Sequence, residues 1–484
     1  MVGNWFEQLL LISLPAAPAI GAIAAGACPE RATRLVRAVG WAFSIVALLA
    51  WIVLRAVLPD APGAELLVSV HLPWVSDLGI GLHLGLDETG LVMAGMISFI
   101  TLVAMVGTLP SLPQLNRGHI VCLLAAEAGM LGVVTSWDLI LFIAFWEVTL
   151  VPFFFLMGRG PTRGGVAAAT RFFVTSVASS VLMWIGVLIL IKAAGRPITF
   201  DLRELAARFS HSPLGSFSGA WLFIPAFLVR MAAVPLHTWF PAAAANVPTA
   251  AAVLLAGGVL PLGGYGLVHV LLRLFGPDLC GLSPWLYWIG LATALGGALA
   301  SVVQRDLKRL LAYVFLAQMG LALTGLTLGP EEARNGGLLL LVATGMGGGC
   351  LFLFSGVVCG ARGNQRIVEI SGLWRSHPAF AGLAFAGIAS AGAVPGTVGF
   401  AGAYLVLRSL SGNSIHLALA AGAILIMGAS VLWAYRRVTG GSYHPEMWAT
   451  FRWPRKRQVT ILAIVCVVIV LAGLAPGVIS GVGR

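Results

Sequence analysis

Charge is the scarcest feature of this sequence. Only 10% of its 484 residues are Asp, Glu, Lys or Arg, against roughly 25% in soluble domains. That excludes an ordinary water-soluble domain, and with 59% hydrophobic residues it leaves a polytopic membrane protein. Paired cysteines are missing too. Cys28, Cys122, Cys280, Cys350, Cys359 and Cys466 stand far apart, without CxxC or the Cys/His spacing of a metal site, so they read as small apolar packing residues. There is no P-loop, nucleotide fingerprint, haem or iron–sulfur spacing, and no nucleophile with a base and an orienter. The motifs therefore place no redox or catalytic centre in the chain.

The formal charge of +11 does not point to nucleic acid. The basic residues sit in short connections between apolar runs, as the positive-inside rule demands of a bilayer protein. A spanning helix needs about 20 apolar residues, and runs of that kind start near residues 8, 38, 88, 118, 137, 170, 219, 248, 284, 308, 334, 378, 414 and 457. The first of them lacks a basic n-region and reads as helix 1 rather than a cleaved signal. With the N-terminus outside, the odd-numbered connections are cytoplasmic. They hold Arg31, Arg34, Arg37, Arg159, Arg163, Arg305, Lys308, Arg309, Arg452 and Arg455, whereas Asp60, Asp77, Asp201 and Asp278 fall outside. The expectation is a multi-pass inner (cytoplasmic) membrane protein with both termini external. Residues 60–87 alternate as an external β-hairpin. Leu202, Leu205 and Ala206 oppose Arg203 and Glu204 in a short interfacial helix over 201–210.

Phe227 to Tyr265 is apolar yet carries Arg230, His237 and the prolines Pro235, Pro241, Pro248 and Pro261. Proline removes a backbone hydrogen bond that lipid cannot replace, so this stretch predicts a broken helix surrounded by protein or water. The V-P-x4-F string from Val234 to Phe240 recurs from Val394 to Phe400. The copies fall on helices 7 and 12, an odd number of steps apart, which inverts the second. The predicted fold is an all-α polytopic membrane protein of about 14 helices, with two inverted five-helix repeats (helices 4–8 and 9–13) and broken helices 7 and 12. It forms a single transmembrane domain, 1–484: N-terminal helices and loop 1–117, first repeat 118–273, second repeat 284–438, then a cytoplasmic loop and helix 14, 439–484.

Ionisable groups inside spans are costly and are functional candidates by default. Glu147 lies in LFIAFWEVTLVPFFFLMG and Glu127 in LLAAEAGM. Arg230 is the natural partner of Glu147 if helices 5 and 7 meet. Arginine does not deprotonate in proteins, so it can hold a carboxylate but not relay a proton. His237 suits either a titrating role or a structural bond to the freed carbonyls of the break. His269 reads as a polar tip near the outer end of helix 8 and Asp306 as a dipole-complementing acid, while Lys308 suits either a loop charge setting topology or, with Glu127 and His237, an auxiliary group on a proton path through Glu147 and Arg230.

The strings FWEVTLVPFFFLMG (145–158), VPLHTWFP (234–241), VPTAAAVLLAGGVLPLGGYGL (247–267), QRDLKRLLAYVFLAQMG (304–320) and VPGTVGFAGAYL (394–405) resemble the antiporter-like membrane subunits of respiratory complex I. They are most similar to the M type, with Mrp-type antiporter subunits more distant; the chain ends after helix 14, without the lateral helix of the L type. The resemblance implies a subunit beside sister membrane subunits, with no cofactor in this chain and with quinone, FMN and iron–sulfur clusters in partner subunits. It also implies a proton relay, of which Glu147 is kept. Arg230 and Pro261 stand where lysines belong, Gln318 and Thr344 where histidines belong, and Ala403 where an acid belongs. After the helix 7 break, the usual acidic and histidine residues are Ala242, Ala244 and Asn246. The expected function is thus an antiporter-like subunit with pumping reduced or absent. The alternatives are an active translocator rerouted through Glu147 and His237, or a membrane scaffold or ion-uptake partner of a soluble protein.

Overall fold

In the computed structural model, residues 3–58, 65–75, 79–108, 117–158, 164–210, 213–276, 281–441 and 456–477 are described. Cys280, Asp60, Asp77, Asp278, Arg159, Arg163, Arg452, Arg455 and most of the expected loop after residue 439 lie outside them. The protein is an all-α, multi-pass membrane protein. Twelve of its described helices are long and apolar enough to cross a bilayer: helix 1 Trp5–Ala27, helix 2 Thr33–Val57, helix 3 Glu88–Gly107, helix 4 Arg117–Thr135, helix 5 Leu139–Gly158, helix 6 Gly164–Ala194, helix 8 Thr249–Phe275, helix 9 Ser283–Val302, helix 10 Leu307–Thr327, helix 11 Glu331–Gly360, helix 13 Ser414–Gly440 and helix 14 Lys456–Leu474.

The two remaining predicted spans are each a pair of shorter helices. Helix 7 consists of Pro213–Arg230 and Trp239–Asn246, and helix 12 of Pro378–Ala391 and Val398–Ser409. Each break turns on an alanine forced into the left-handed region, Ala232 at φ 51° and Ala393 at φ 52°. The two breaks are not in the register of the V-P echo. Ala232 lies two residues before Val234, while Ala393 immediately precedes Val394, so the first connection is longer.

Without a hydrophobic force to separate them from lipid, the central helices pack through small residues. A Cβ on Gly320 would meet Ala294 N at 2.3 Å, and one on Gly402 would meet Gly336 O at 2.9 Å. Helices 8, 10 and 11 form the buried centre, and helices 1, 2 and 14 keep exposed apolar faces.

The predicted hairpin is β1 Val68–Val75 paired antiparallel to β2 Ile80–Leu86, with His71 opposite His83. The predicted short helix is Leu202–Ser210, with Asp201 accepting from the backbone of Arg203 and Glu204 at its start and with Leu202 and Leu205 fully buried. Both cover the same end of the bundle, the hairpin face.

Candidate functional site

Helices 5 and 7 do meet at Arg230, but not through the expected ion pair. Arg230 closes the first half of helix 7 and is 1% exposed. Its Nη2 donates to the Trp146 carbonyl at 2.9 Å and to Thr149 Oγ1 at 2.7 Å. The guanidinium lies 4.4 Å from the centre of the Trp146 ring and 5.9 Å from that of Phe172. A weakly hydrated planar cation suits such a shelf better than an ammonium. Nε and Nη1 have no partner among the described residues. Glu147 is half-buried with an unbonded Oε1; its charge acts on Arg230, yet no direct pair joins the two among the described residues. Helix 8 closes the site from the other side, since a Cβ on Gly263 would meet Met231 N at 2.7 Å and Arg230 Cβ at 2.9 Å. Pro261, buried one half-turn earlier, adds no charge there.

An aromatic layer lies between this cation and the hairpin face. Phe142 stacks on Trp146 at 5.6 Å, and Phe227 meets Trp146 at 5.6 Å and Phe142 at 6.4 Å. All three are buried. Beyond Phe142, at 6.1 Å, stands His269.

The other candidates are dispersed. Glu127 is fully buried on helix 4 and accepts from Ser44 Oγ of helix 2 at 3.1 Å; its Oε2 bonds no described group. His237 sits half-buried in the helix 7 break with its Nδ1 unbonded. That break is tied across to helix 9, where Thr293 Oγ1 accepts from Val234 N at 2.9 Å. Two expectations are overturned. Lys308 is not a loop charge: it is 7% exposed, inside the start of helix 10 and within electrostatic reach of Asp306 and Cys359. Asp306 does cap that helix, accepting from Arg309 N. His269 is no polar tip: it is 1% exposed, stacked on Tyr265 and packed edge-on against Trp137.

The second break is neutral. Thr344 Oγ1 donates to Gln318 Oε1 at 3.2 Å, and Gln318 Nε2 donates to the Ser390 carbonyl at 3.5 Å. Ala403 is buried on the second half of helix 12 and Ala244 after the first break. The half-helices of span 12 approach closely: a Cβ on Gly399 would lie 1.9 Å from Ser390 O. Thr397 caps the second half through Phe400 N and bonds Val394 O at 2.7 Å.

Thus a buried cation beside a carboxylate stands at one broken helix and an amide–hydroxyl set at the other, within one bundle. Residues 136–428 match the family described as NADH:quinone oxidoreductase/Mrp antiporter, TM. The chain belongs to this family. Among its curated relatives, NADH-quinone oxidoreductase subunit M of Pseudomonas aeruginosa is 32% identical over 362 residues, 72% of this chain and 71% of that one. Subunit M of Rhodobacter capsulatus is 27% identical, with 99% and 94% covered. The antiporter-family fold is shared with a chain of respiratory complex I from Thermus thermophilus with bound NADH (TM-score 0.85, 24% identity, 97% and 96% covered). It is shared as well with a chain of the Mrp complex from Dietzia sp. (TM-score 0.83, 20% identity, 99% and 97% covered).

Sequence reasoning missed the polar cluster under the hairpin. Arg273 pairs with Asp87 at 2.5 Å and lies 4.1 Å from the centre of the Trp137 ring. His83 Nδ1 bonds Asp201, and Asp138 caps helix 5 while accepting from Gly81 N at 3.2 Å. Burial raises the pKa of Asp138 from its ordinary value. Asp201 is also partly buried, but its hydrogen bond and charge interaction with His83 outweigh that and lower its pKa. The available signal was Arg273, a cation at the end of helix 8 opposite the basic connections.

Proposed function

We propose that this chain is an M-type membrane subunit of a complex I-type NADH:quinone oxidoreductase, embedded beside sister membrane subunits in the inner membrane. The hairpin face and both termini are external. Quinone, FMN and iron–sulfur clusters belong to partner subunits, and this chain contributes charge-responsive protein rather than redox chemistry. The matching left-handed alanines at the two breaks support the inverted-repeat plan.

Its proton relay is reduced to the first half. The carrying observation is the neutral Gln318–Thr344–Ser390 set at the second break. An amide and hydroxyls bond water but do not store a charge near neutral pH, so a proton reaching this set finds no group within it to hold the charge. In the first half, Glu147 keeps an ionisable carboxylate within electrostatic reach of Arg230, and ionisable groups inside spans are functional candidates by default.

The test is the assembled complex in sealed vesicles, with protons moved counted per electron pair. Glu147→Gln lowers the yield if the half-path works, whereas an unchanged yield removes Glu147 as a relay. Gln318→His raises it by supplying the missing titratable group. No change with Gln318→His in a fully assembled complex overturns the account of the second half.

A further inference from the structure

The first-half path needs a place to exchange protons with water, and the hairpin face holds a built cluster for which that reading gives no use. His269 is 1% exposed, its Nε2 bonds the Ser136 carbonyl at 2.8 Å, and its Nδ1 bonds no described group. It stacks on Tyr265 at 5.0 Å and meets Trp137 edge-on at 5.1 Å. Trp137 Nε1 is likewise buried and unbonded, and the bare Gly85 runs beside it, where a Cβ would come within 3.1 Å. Across Trp137, at 6.3 Å, is His83, which is 5% exposed and bonded to Asp201. His71, exposed on β1, meets His83 edge-on at 5.3 Å. The rings therefore run from the aromatic layer above Arg230 to the hairpin surface.

We propose that His269, His83 and Asp201, gathered around Trp137, form the water-exchange station of the first-half proton path on the hairpin face. The proposal rests on the reading that this half still moves protons. The step is a bare proton transfer: an imidazole nitrogen of His83 accepts one proton from the interior side and releases it to water beside His71, with Asp201 holding the imidazolium between the two. No other bond changes. Imidazole suits this role because its charge changes between about pH 5 and 8. The buried His269, with Nε2 on the Ser136 carbonyl, leaves Nδ1 without a partner among the described residues.

Other charges facing His83 are accounted for. On β2, Asp138 reaches Gly81 N. Beside Asp201, Arg203 pairs with Glu65 at 3.0 Å, and Glu204 lies 3.9 Å from Arg208. From helix 8, Arg273 faces Trp137 but is paired with Asp87 of helix 3. Glu7 of helix 1 stands near Val68, at the far end of the hairpin. Asp201 is therefore the one acid in direct contact with the His83 ring among the described residues.

The experiment measures protons per electron pair in sealed vesicles of the complete assembly while the pH on the hairpin face is varied over about 5 to 8. In the parent, the yield is expected to depend on that pH. His83→Gln abolishes the dependence. Asp201→Asn, which keeps size and a hydrogen bond, shifts the midpoint of the yield profile downward, because the imidazolium loses its counter-charge. A parent without hairpin-face pH dependence overturns the proposal, as does an assembled variant whose profile superimposes on the parent. Where His83→Gln fails to assemble, Asp201→Asn decides. Glu147→Gln, run alongside, reports on the inner half alone, so a failure of the reduced-relay reading is seen separately from a failure of the station.

Discussion

The two broken helices solve one backbone problem with different chemistry. At helix 7 the break is tied to a neighbour, since Thr293 of helix 9 accepts from Val234 N, and its two halves are tied to each other by Trp239 Nε1, which donates to the Val229 carbonyl at 2.8 Å. A permanent cation sits at its lip. At helix 12 the break is held by Thr397 and by the close approach of Gly399 to Ser390 O, with Gln318 of helix 10 donating to the Ser390 carbonyl, and these groups are neutral. A break held by other helices can carry charge because those helices supply carbonyls, hydroxyls and ring faces to solvate it. At the second break the neighbouring helices supply an amide and a hydroxyl, Gln318 and Thr344, but no charged side chain in that set, so a charge there would have no counter-charge among them in a low-dielectric site.

The sharpest way to break the comparison is steric. Gly399→Ala places a Cβ against Ser390 O and is expected to cost about 3 kcal/mol or more, since backbone cannot move aside as a side chain does. The unfolding midpoint of the purified assembly reads this. Next comes Thr149→Val, which removes a hydrogen bond to a fully buried guanidinium. Bonds to charged groups are worth about 1.5–3 kcal/mol, and the midpoint should fall accordingly. Thr344→Val at the second break removes a neutral bond of 3.2 Å and should cost only about 1 kcal/mol. Equal losses from the two threonine variants would erase the distinction between a charged and a neutral break.

The smallest effect concerns pH at the hairpin face. The pKa of Asp201 is lowered by His83 despite its burial, so the unfolded state binds its proton more tightly than the folded state does. That contribution to docking is therefore complete above the ordinary aspartate value of about 4. It is lost as pH falls through the lower folded value. Hydrogen exchange of the β1–β2 amides should stay slow from neutral pH to about 4 and accelerate only below that. Acceleration in the neutral range would contradict it.

Spans and breaks were legible because apolar length and proline act locally: a run of that length can only span, and Pro235 can only interrupt. Hairpin and short helix followed from alternation and helical spacing within a few residues. The partners of Arg230 were not legible, because one of them, the Trp146 carbonyl, is backbone and carries no residue signature. Nor was the burial of His269, whose cover comes from Trp137 and the Ser136 carbonyl, more than a hundred and thirty residues earlier. Lys308 misled for the opposite reason: its basic neighbours made it look like the rest of its connection, while three-dimensional packing drew it inside.

Phe142, Trp146 and Phe227 have an electrical consequence. Potential across a membrane drops mostly where matter is least polarisable, so a compact aromatic septum flanked by polar clusters gathers much of that drop into a few ångströms. Moving one elementary charge through 100 mV is worth about 2.3 kcal/mol. Whatever share of that work falls across the septum is done in one short hop, with the guanidinium of Arg230 fixed on one side of it.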